Sequence, residues 1–260
     1  MKRLALVVSL SVLLAVIILA AGCTRILIGD EGLLTTREYD FTDFTRIEAG
    51  SAFTLDIIPS DNFTIAITAG ENTFKHINVV KTGDTLKIGL KGVGWTFDID
   101  SLEARITLPV LRGVELSGAA EGRAIGFNSP QDTEAGLSGA SRLDMDMETG
   151  SFKSELSGAS RISGRLVASS SDFDLSGASR VSLSGSGGNF KLDASGASRA
   201  DMDTFTVGDA DISLSGACRA SLVINGKLNA SLSGASQLRY SGSPTLGKLD
   251  ISGGSELAPK

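Results

Sequence analysis

Leu156-Ser157-Gly158-Ala159-Ser160-Arg161 is the stretch whose reading decides the fold, because its central tetrapeptide returns throughout the second half of the chain. The copies are Ser117-Gly118-Ala119-Ala120, Ser138-Gly139-Ala140-Ser141, Ser157-Gly158-Ala159-Ser160 and Ser176-Gly177-Ala178-Ser179. Then come Ser195-Gly196-Ala197-Ser198, Ser215-Gly216-Ala217-Cys218, Ser233-Gly234-Ala235-Ser236 and Ser252-Gly253-Gly254-Ser255. Differences between successive starting serines are 21, 19, 19, 19, 20, 18 and 19 residues. A near-constant period over so many copies is the mark of an architecture built by stacking, with about 19 residues per repeat.

The residues around each copy say what is stacked. One position before the first serine stand Leu116, Leu137, Leu156, Leu175, Ala194, Leu214, Leu232 and Ile251. Three before it are Val114, Ala135, Ser154, Phe173, Leu192, Ile212, Ala230 and Leu249. Between these columns lie mostly polar residues, among them Glu115, Glu155, Asp174, Asp193 and Asp250. Apolar and polar residues therefore alternate with the period of a strand. Five positions after the serine the apolar column resumes as Leu143, Ile162, Val181, Ala200, Ala220, Leu238 and Leu257. The tetrapeptide is thus a corner between two strands, where glycine accepts unusual backbone angles and small neighbours pack closely. Equivalent strands of successive repeats would run parallel about 4.8 Å apart, and seven steps make a rod of about 34 Å. The expected fold is all-β, a parallel β-helix or β-solenoid; periodicity does not fix its hand, and the general preference of parallel crossovers favours the right hand. A leucine-rich repeat would need a Leu-x-x-Leu-x-Leu frame, and a left-handed hexapeptide helix a six-residue period. Neither is present.

Upstream, alternation in Phe53-Thr54-Leu55-Asp56-Ile57, Phe63–Ile67, Ile77–Val80, Leu86–Leu90, Phe97–Ile99 and Ala104–Leu108 makes 37–113 an N-terminal all-β segment continuous with the repeats at 114–257. Residues Gly70–His76 read as a short helical or irregular connection. The first 22 residues form a signal peptide: Met1-Lys2-Arg3 is basic and Leu4–Ala21 is apolar apart from Ser9 and Ser11. Leu19-Ala20-Ala21-Gly22-Cys23 resembles the lipobox of bacterial lipoproteins, which implies lipidation of Cys23 after cleavage. Those boxes usually have leucine where this chain has Ala20. Left uncleaved, the same run is long enough to anchor in a membrane. Residues 23–36 are then a tether, and the expected location is the extracytoplasmic face of the bacterial envelope, with the membrane as a partner through lipid or anchor.

Composition narrows the function classes. The 260 residues carry 24 Lys and Arg against 30 Asp and Glu, a net charge of −6. An acidic chain is a poor candidate for nucleic acid, whose phosphates need a basic face, so none is expected as a partner. Beyond Cys23 the only cysteine is Cys218, at the corner position where six copies have serine, so it reads as a small side chain that fits the corner. Aspartate pairs such as Asp144/Asp146 and Asp201/Asp203 lack the Gly-Gly-x-Gly-x-Asp frame of calcium-binding repeats and read as a solvated strand face. No metal or other cofactor is expected. His76 is the only histidine, no Gly-x-Ser-x-Gly elbow occurs, and no catalytic residues are assigned.

One column is a candidate binding feature. Four positions after the first serine stand Arg142, Arg161, Arg180, Arg199 and Arg219. Stacking would bring these arginines into one file. Unit charges 4.8 Å apart repel by about 1 kcal/mol in water. Such a file can serve an acidic glycan, since arginine holds carboxylates and phosphates through a planar fork. Alternatively it is neutralised by nearby acids such as Asp144, Asp174, Asp193 and Asp201.

The serial Leu-Ser-Gly-Ala-Ser copies resemble the bacterial auto-transporter adhesin head GIN domain family, a domain of unknown function. Asp43-Phe44-Thr45-Arg46-Ile47, Phe53–Ile57 and Leu108-Pro109-Val110-Leu111 also match its opening strands. The resemblance covers about Phe44 to Leu257 and implies a right-handed parallel β-helix on an exported, often lipid-anchored chain. It supplies no catalytic residue to carry over. The expected function is a non-catalytic envelope module, adhesin-like or structural, with a glycan or protein partner. The alternatives are a polysaccharide lyase or hydrolase on the same scaffold, and an envelope sensor or accessory protein.

Overall fold

The computed structural model describes residues 28–29, 34–92, 97–98 and 101–260. The expectations for the signal peptide, Cys23 and most of the tether fall outside these residues, as does Trp95. Among the described residues every regular element is a strand, and no helix is long and apolar enough to cross a membrane.

The repeats form stacked parallel coils of a β-solenoid. In the middle of the stack each repeat is one long bent strand: Arg142–Leu156, Arg161–Leu175, Arg180–Ala194 and Arg199–Leu214. Each coil has an arm that leaves the tetrapeptide and an arm that leads into the next one. The outgoing arms align Leu143, Ile162, Val181, Ala200, Ala220, Leu238 and Leu257 in register. The incoming arms align Leu116, Leu137, Leu156, Leu175, Ala194, Leu214, Leu232 and Ile251. Both apolar columns point inward, and all but the last members are buried. The walls are close: a methyl group added to Gly122 on one arm would lie 3.0 Å from Leu116 Cδ1 on the other.

The corner does more than turn. Its second residue has positive φ in every copy, from 70° at Gly118 to 84° at Gly216. The third residue donates its N–H to the glycine carbonyl one coil earlier, as in Ala178 to Gly158 at 2.7 Å and Ala197 to Gly177 at 2.8 Å. In the second to seventh copies the fourth residue is buried, and its hydroxyl or thiol closes the turn onto the carbonyl of the first. Ser160 reaches Ser157 at 2.9 Å, Ser179 reaches Ser176 at 2.6 Å and Ser198 reaches Ser195 at 2.8 Å. Cys218 makes the corresponding thiol contact to Ser215 at 3.1 Å, and burial pushes that thiol's pKa up. Serine recurs there because a buried position next to an unpaired carbonyl rewards a small donor.

Two features lie outside the tetrapeptide and its flanking strand columns. A second corner column, Gly150, Ser169, Gly188 and Gly208, closes the other side of the coils, with the Ser169 hydroxyl donating to the Gly150 carbonyl. In the core, Phe152, Phe173, Phe190 and Phe205 make a ladder with ring centroids 5.8, 5.7 and 6.3 Å apart.

The N-terminal segment joins the same sheet system. Arg46–Ala49 and Thr54–Pro59 form a coil with its own corner at Gly50-Ser51-Ala52, and Ser51 and Ala52 both have positive φ. This coil stacks directly beneath the first tetrapeptide coil. On its other side lie Thr85–Leu90 and Leu102–Leu108, which are covered in turn by antiparallel strands Ile77–Thr82, Thr64–Gly70 and Leu34–Glu38. The antiparallel strands end the stack at this side. Gly70–His76 is a run of tight turns, with N–H bonds from Thr73 to Gly70 and from His76 to Thr73, both 2.9 Å.

One core position is imperfect. Ser154 occupies the apolar column three residues before the corner, is fully buried, and its Oγ has no hydrogen-bond partner among the described residues. A buried unpaired hydroxyl costs about 1–3 kcal/mol. Ser154→Ala is therefore expected to stabilise the chain by about 1 kcal/mol, a rise of about 2–4 °C in thermal midpoint. A midpoint unchanged or lowered in a calorimetric scan would contradict this account.

Candidate functional site

The arginine column is present as expected. Arg142, Arg161, Arg180, Arg199 and Arg219 occupy equivalent positions in consecutive coils. Their direction follows from their neighbours: each sits between a buried Ser or Cys and a buried apolar residue, so the pleat turns the side chain outward. Their amides are fixed by the stack, Arg161 N–H donating to Ser141 at 2.9 Å and Arg199 N–H to Ser179 at 2.9 Å.

Neutralisation is uneven along the file. Glu121 occupies the same column one coil before Arg142 and pairs with it at 2.5 Å. Asp201 lies 2.5 Å from Arg199 and 3.9 Å from Arg180. Of the four acids expected as local partners, only Asp201 reaches the file. Among the described residues no ion pair reaches Arg161 or Arg219. Gln237 and Glu256 continue the column beyond Arg219 and bond each other at 2.6 Å. A shallow concavity of about 240 Å³ lies at the Arg142–Arg161 end, lined also by Glu121, Arg123, Asp144 and Ser163. The surface beside the file is an open strip rather than a deep cleft.

A larger groove, about 610 Å³, lies on the outer surface of the incoming arms. Glu115, Glu155 and Asp174 line it with Arg46, Glu134 and Lys153, and the corner residues Ser117, Ser138 and Ser157 form its edge. Gly136 creates part of the space, because it stands in register between Glu115 and Glu155 with no side chain. Here Arg46 pairs with Glu134 at 2.6 Å and Lys153 with Glu155 at 2.8 Å, and the latter contact raises the Lys153 pKa. The sequence held this signal in the polar column two residues before each corner, where Glu115, Glu155, Asp174 and Asp193 recur. The outer face of the incoming arms thus carries acids with lysine, whereas the outgoing arms mix the arginine file with acids such as Asp144, Asp146 and Glu148.

Neither surface assembles a nucleophile and a base. The corner hydroxyls at the fourth position are buried and bonded to carbonyls. Among the described residues no group of three or more His, Cys, Asp and Glu could hold a metal ion. Tyr39 and Tyr240 are half-buried against the core, in different parts of the stack, and offer no shared platform for a sugar ring.

A model of the family described as "Putative auto-transporter adhesin, head GIN domain" matches residues 43–244, well over half of the chain. No curated protein is significantly similar in sequence. Among solved structures, an adhesin from Parabacteroides distasonis, described as putative, is similar with a TM-score of 0.78 at 17% identity, covering 90% of this chain and 100% of its own. One described in the same words from Parabacteroides merdae has a TM-score of 0.74 at 17% identity, over 90% of this chain and 99% of its own. A "Putative lipid binding protein" from Parabacteroides distasonis has a TM-score of 0.72 at 16% identity, over 90% and 99%. At these identities the likeness is one of fold.

Proposed function

From the premise that this chain belongs to the auto-transporter adhesin head GIN domain family, we propose that it is a non-catalytic binding module of the bacterial cell envelope. An adhesin-like family supports a cell-surface or exported location. In this reading Cys23, or the apolar run before it, holds the chain to the extracytoplasmic face of a membrane. The coils then present the arginine file to an acidic glycan.

The observation that carries this reading is the file itself. Five guanidinium groups recur at coil spacing on a rigid scaffold, and Arg161 is left without an ion pair beside the open concavity. A linear polyanion can engage such a row at several points at once, which multiplies individually weak contacts. Because the contacts are exposed and charge-based, binding should weaken with salt.

The test compares immobilised polygalacturonate with a neutral dextran, using the full chain in detergent. Acidic polymer should bind more tightly, and changing Arg161, Arg180 and Arg199 together to serine should weaken that binding by about tenfold or more, at roughly 1 kcal/mol per lost contact. Equal binding of both polymers, or no loss in the triple variant, would sink the proposal.

A further inference from the structure

The two ends of the stack differ. At one end antiparallel strands cover the coils, whereas among the described residues no strand covers the other. The last coil consists of Thr245–Ile251 and Glu256–Pro259, each paired on one side only among the described residues. Its inward column is open to solvent: Leu246, Leu249 and Ile251 are 49%, 38% and 44% exposed. Their register partners one coil earlier, Leu228, Ala230 and Leu232, are at most 4% exposed. Exposed backbone groups beside a row of apolar side chains form a template for another strand.

The charges on this edge identify the occupant. Lys248 and Asp250 flank Leu249 on the outward side of the strand, and neither makes an ion pair among the described residues. Consider two copies of Thr245–Ile251 running antiparallel about a two-fold axis through Leu249. Leu249 then faces its own copy, Lys248 faces Asp250 of the partner, and Asp250 faces the partner's Lys248. The edge is complementary to itself, as a two-fold interface requires. At the other end two strands, Ile77–Thr82 and Leu34–Glu38, are paired on one side only among the described residues. The first has Lys81 and no acid, and Arg37 and Glu38 of the second fall on opposite faces, so neither sets a cation and an anion on one face as Lys248 and Asp250 do. A head-to-tail fibre is thus less well matched in charge.

We propose that the terminal coil is a homotypic docking edge, through which two copies of this chain pair tail to tail by antiparallel addition of Thr245–Ile251. The paired edge buries Leu249 and Ile251 beneath a continuous sheet and satisfies the backbone groups of both strands. The geometry also has a consequence for adhesion. The chain enters the main sheet at Leu34, at the opposite end of the stack. Tail-to-tail pairing therefore places the two entry points at the far ends of a double-length rod. If the chain is membrane-held, as its proposed function has it, the two copies belong to facing surfaces. The pairing itself does not depend on membrane attachment or on glycan binding.

The experiment measures the monomer–dimer equilibrium of the full chain in detergent by mass photometry and sedimentation. The wild type is expected to dimerise. Lys248→Asp places like charges opposite one another at both symmetry-related pairs and should raise the dissociation constant by about tenfold or more. Combining it with Asp250→Lys restores opposite charges and should return the constant to near wild type. Both positions are exposed, so the coil should remain folded in each variant. A wild type that stays monomeric overturns the proposal. So does a dimer indifferent to Lys248→Asp, which would trace association to another surface, or a double variant that fails to recover. Loss of polygalacturonate binding with dimerisation intact would affect only the glycan reading.

Discussion

Replacing Gly177 with alanine is expected to cost the stack about 3 kcal/mol or more, lowering the denaturant midpoint substantially. Two effects combine. Gly177 has φ of 72°, which L-residues adopt reluctantly. An added Cβ would also stand 2.6 Å from the Gly158 carbonyl oxygen and 3.1 Å from its nitrogen. That oxygen accepts the Ala178 N–H at 2.7 Å, and Gly177's own carbonyl accepts Ala197 N–H at 2.8 Å. The methyl group therefore strikes the ladder that holds three consecutive corners together, and no flexible side chain is present to give way. Gly89→Ala supplies the control, because a Cβ there meets nothing within 4 Å and its φ is not positive. It should change stability by no more than about 0.5 kcal/mol. Hydrogen exchange adds a spatial test: in a stack coupled only between neighbours, the Ala178 and Ala197 amides should lose protection first. Equal midpoints for the two variants would show that the corner does not need its glycine.

The corner was legible because one turn uses the same small residues in every coil, and a spacing of 19 residues repeats them visibly. Strand alternation then placed the apolar columns, and the register follows it residue by residue. Two kinds of feature escaped. The coil at Arg46–Pro59 uses Gly50-Ser51-Ala52 in place of the tetrapeptide and is separated from the next coil by inserted antiparallel strands, so neither composition nor period signals it. The phenylalanine ladder is hidden differently. Phe152 and Phe190 lie five residues before a corner serine, Phe173 three before, and Phe205 ten after Ser195, so no column collects them. Phe152, Phe173 and Phe190 meet as diagonal neighbours on the incoming arms of successive coils, and Phe205 reaches Phe190 from the outgoing arm. In the candidate site, the order of the arginines was readable from spacing. Their pairing was not, since contacts such as Arg180 to Asp201 depend on which long side chain bends toward the next coil.

Phe173→Ala should be similarly severe, a loss of about 3–5 kcal/mol, because a large fully buried ring is removed from a core that cannot collapse freely. The ring is second in its ladder, 5.8 Å from Phe152 and 5.7 Å from Phe190, so deletion leaves unsupported faces on both sides. Phe173→Leu retains more of the volume and should cost distinctly less. The position also has a polar neighbour. Ser154 is its register partner in the adjoining coil, and its hydroxyl lacks a partner among the described residues. A cavity opened beside a hydroxyl can admit water, whereas a purely apolar one stays dry. In the native core, Ser154→Ala should be stabilising. In the Phe173→Ala background, water entering the cavity would give Ser154 a bond, and the same substitution should lose that benefit or become unfavourable. A double-mutant cycle reads the difference directly, since neighbouring residues that share a cavity are not additive. A coupling of about 1 kcal/mol would mean a wet cavity. Strict additivity would mean that the walls close over the gap, and then Phe173→Ala alone should cost less than about 3 kcal/mol.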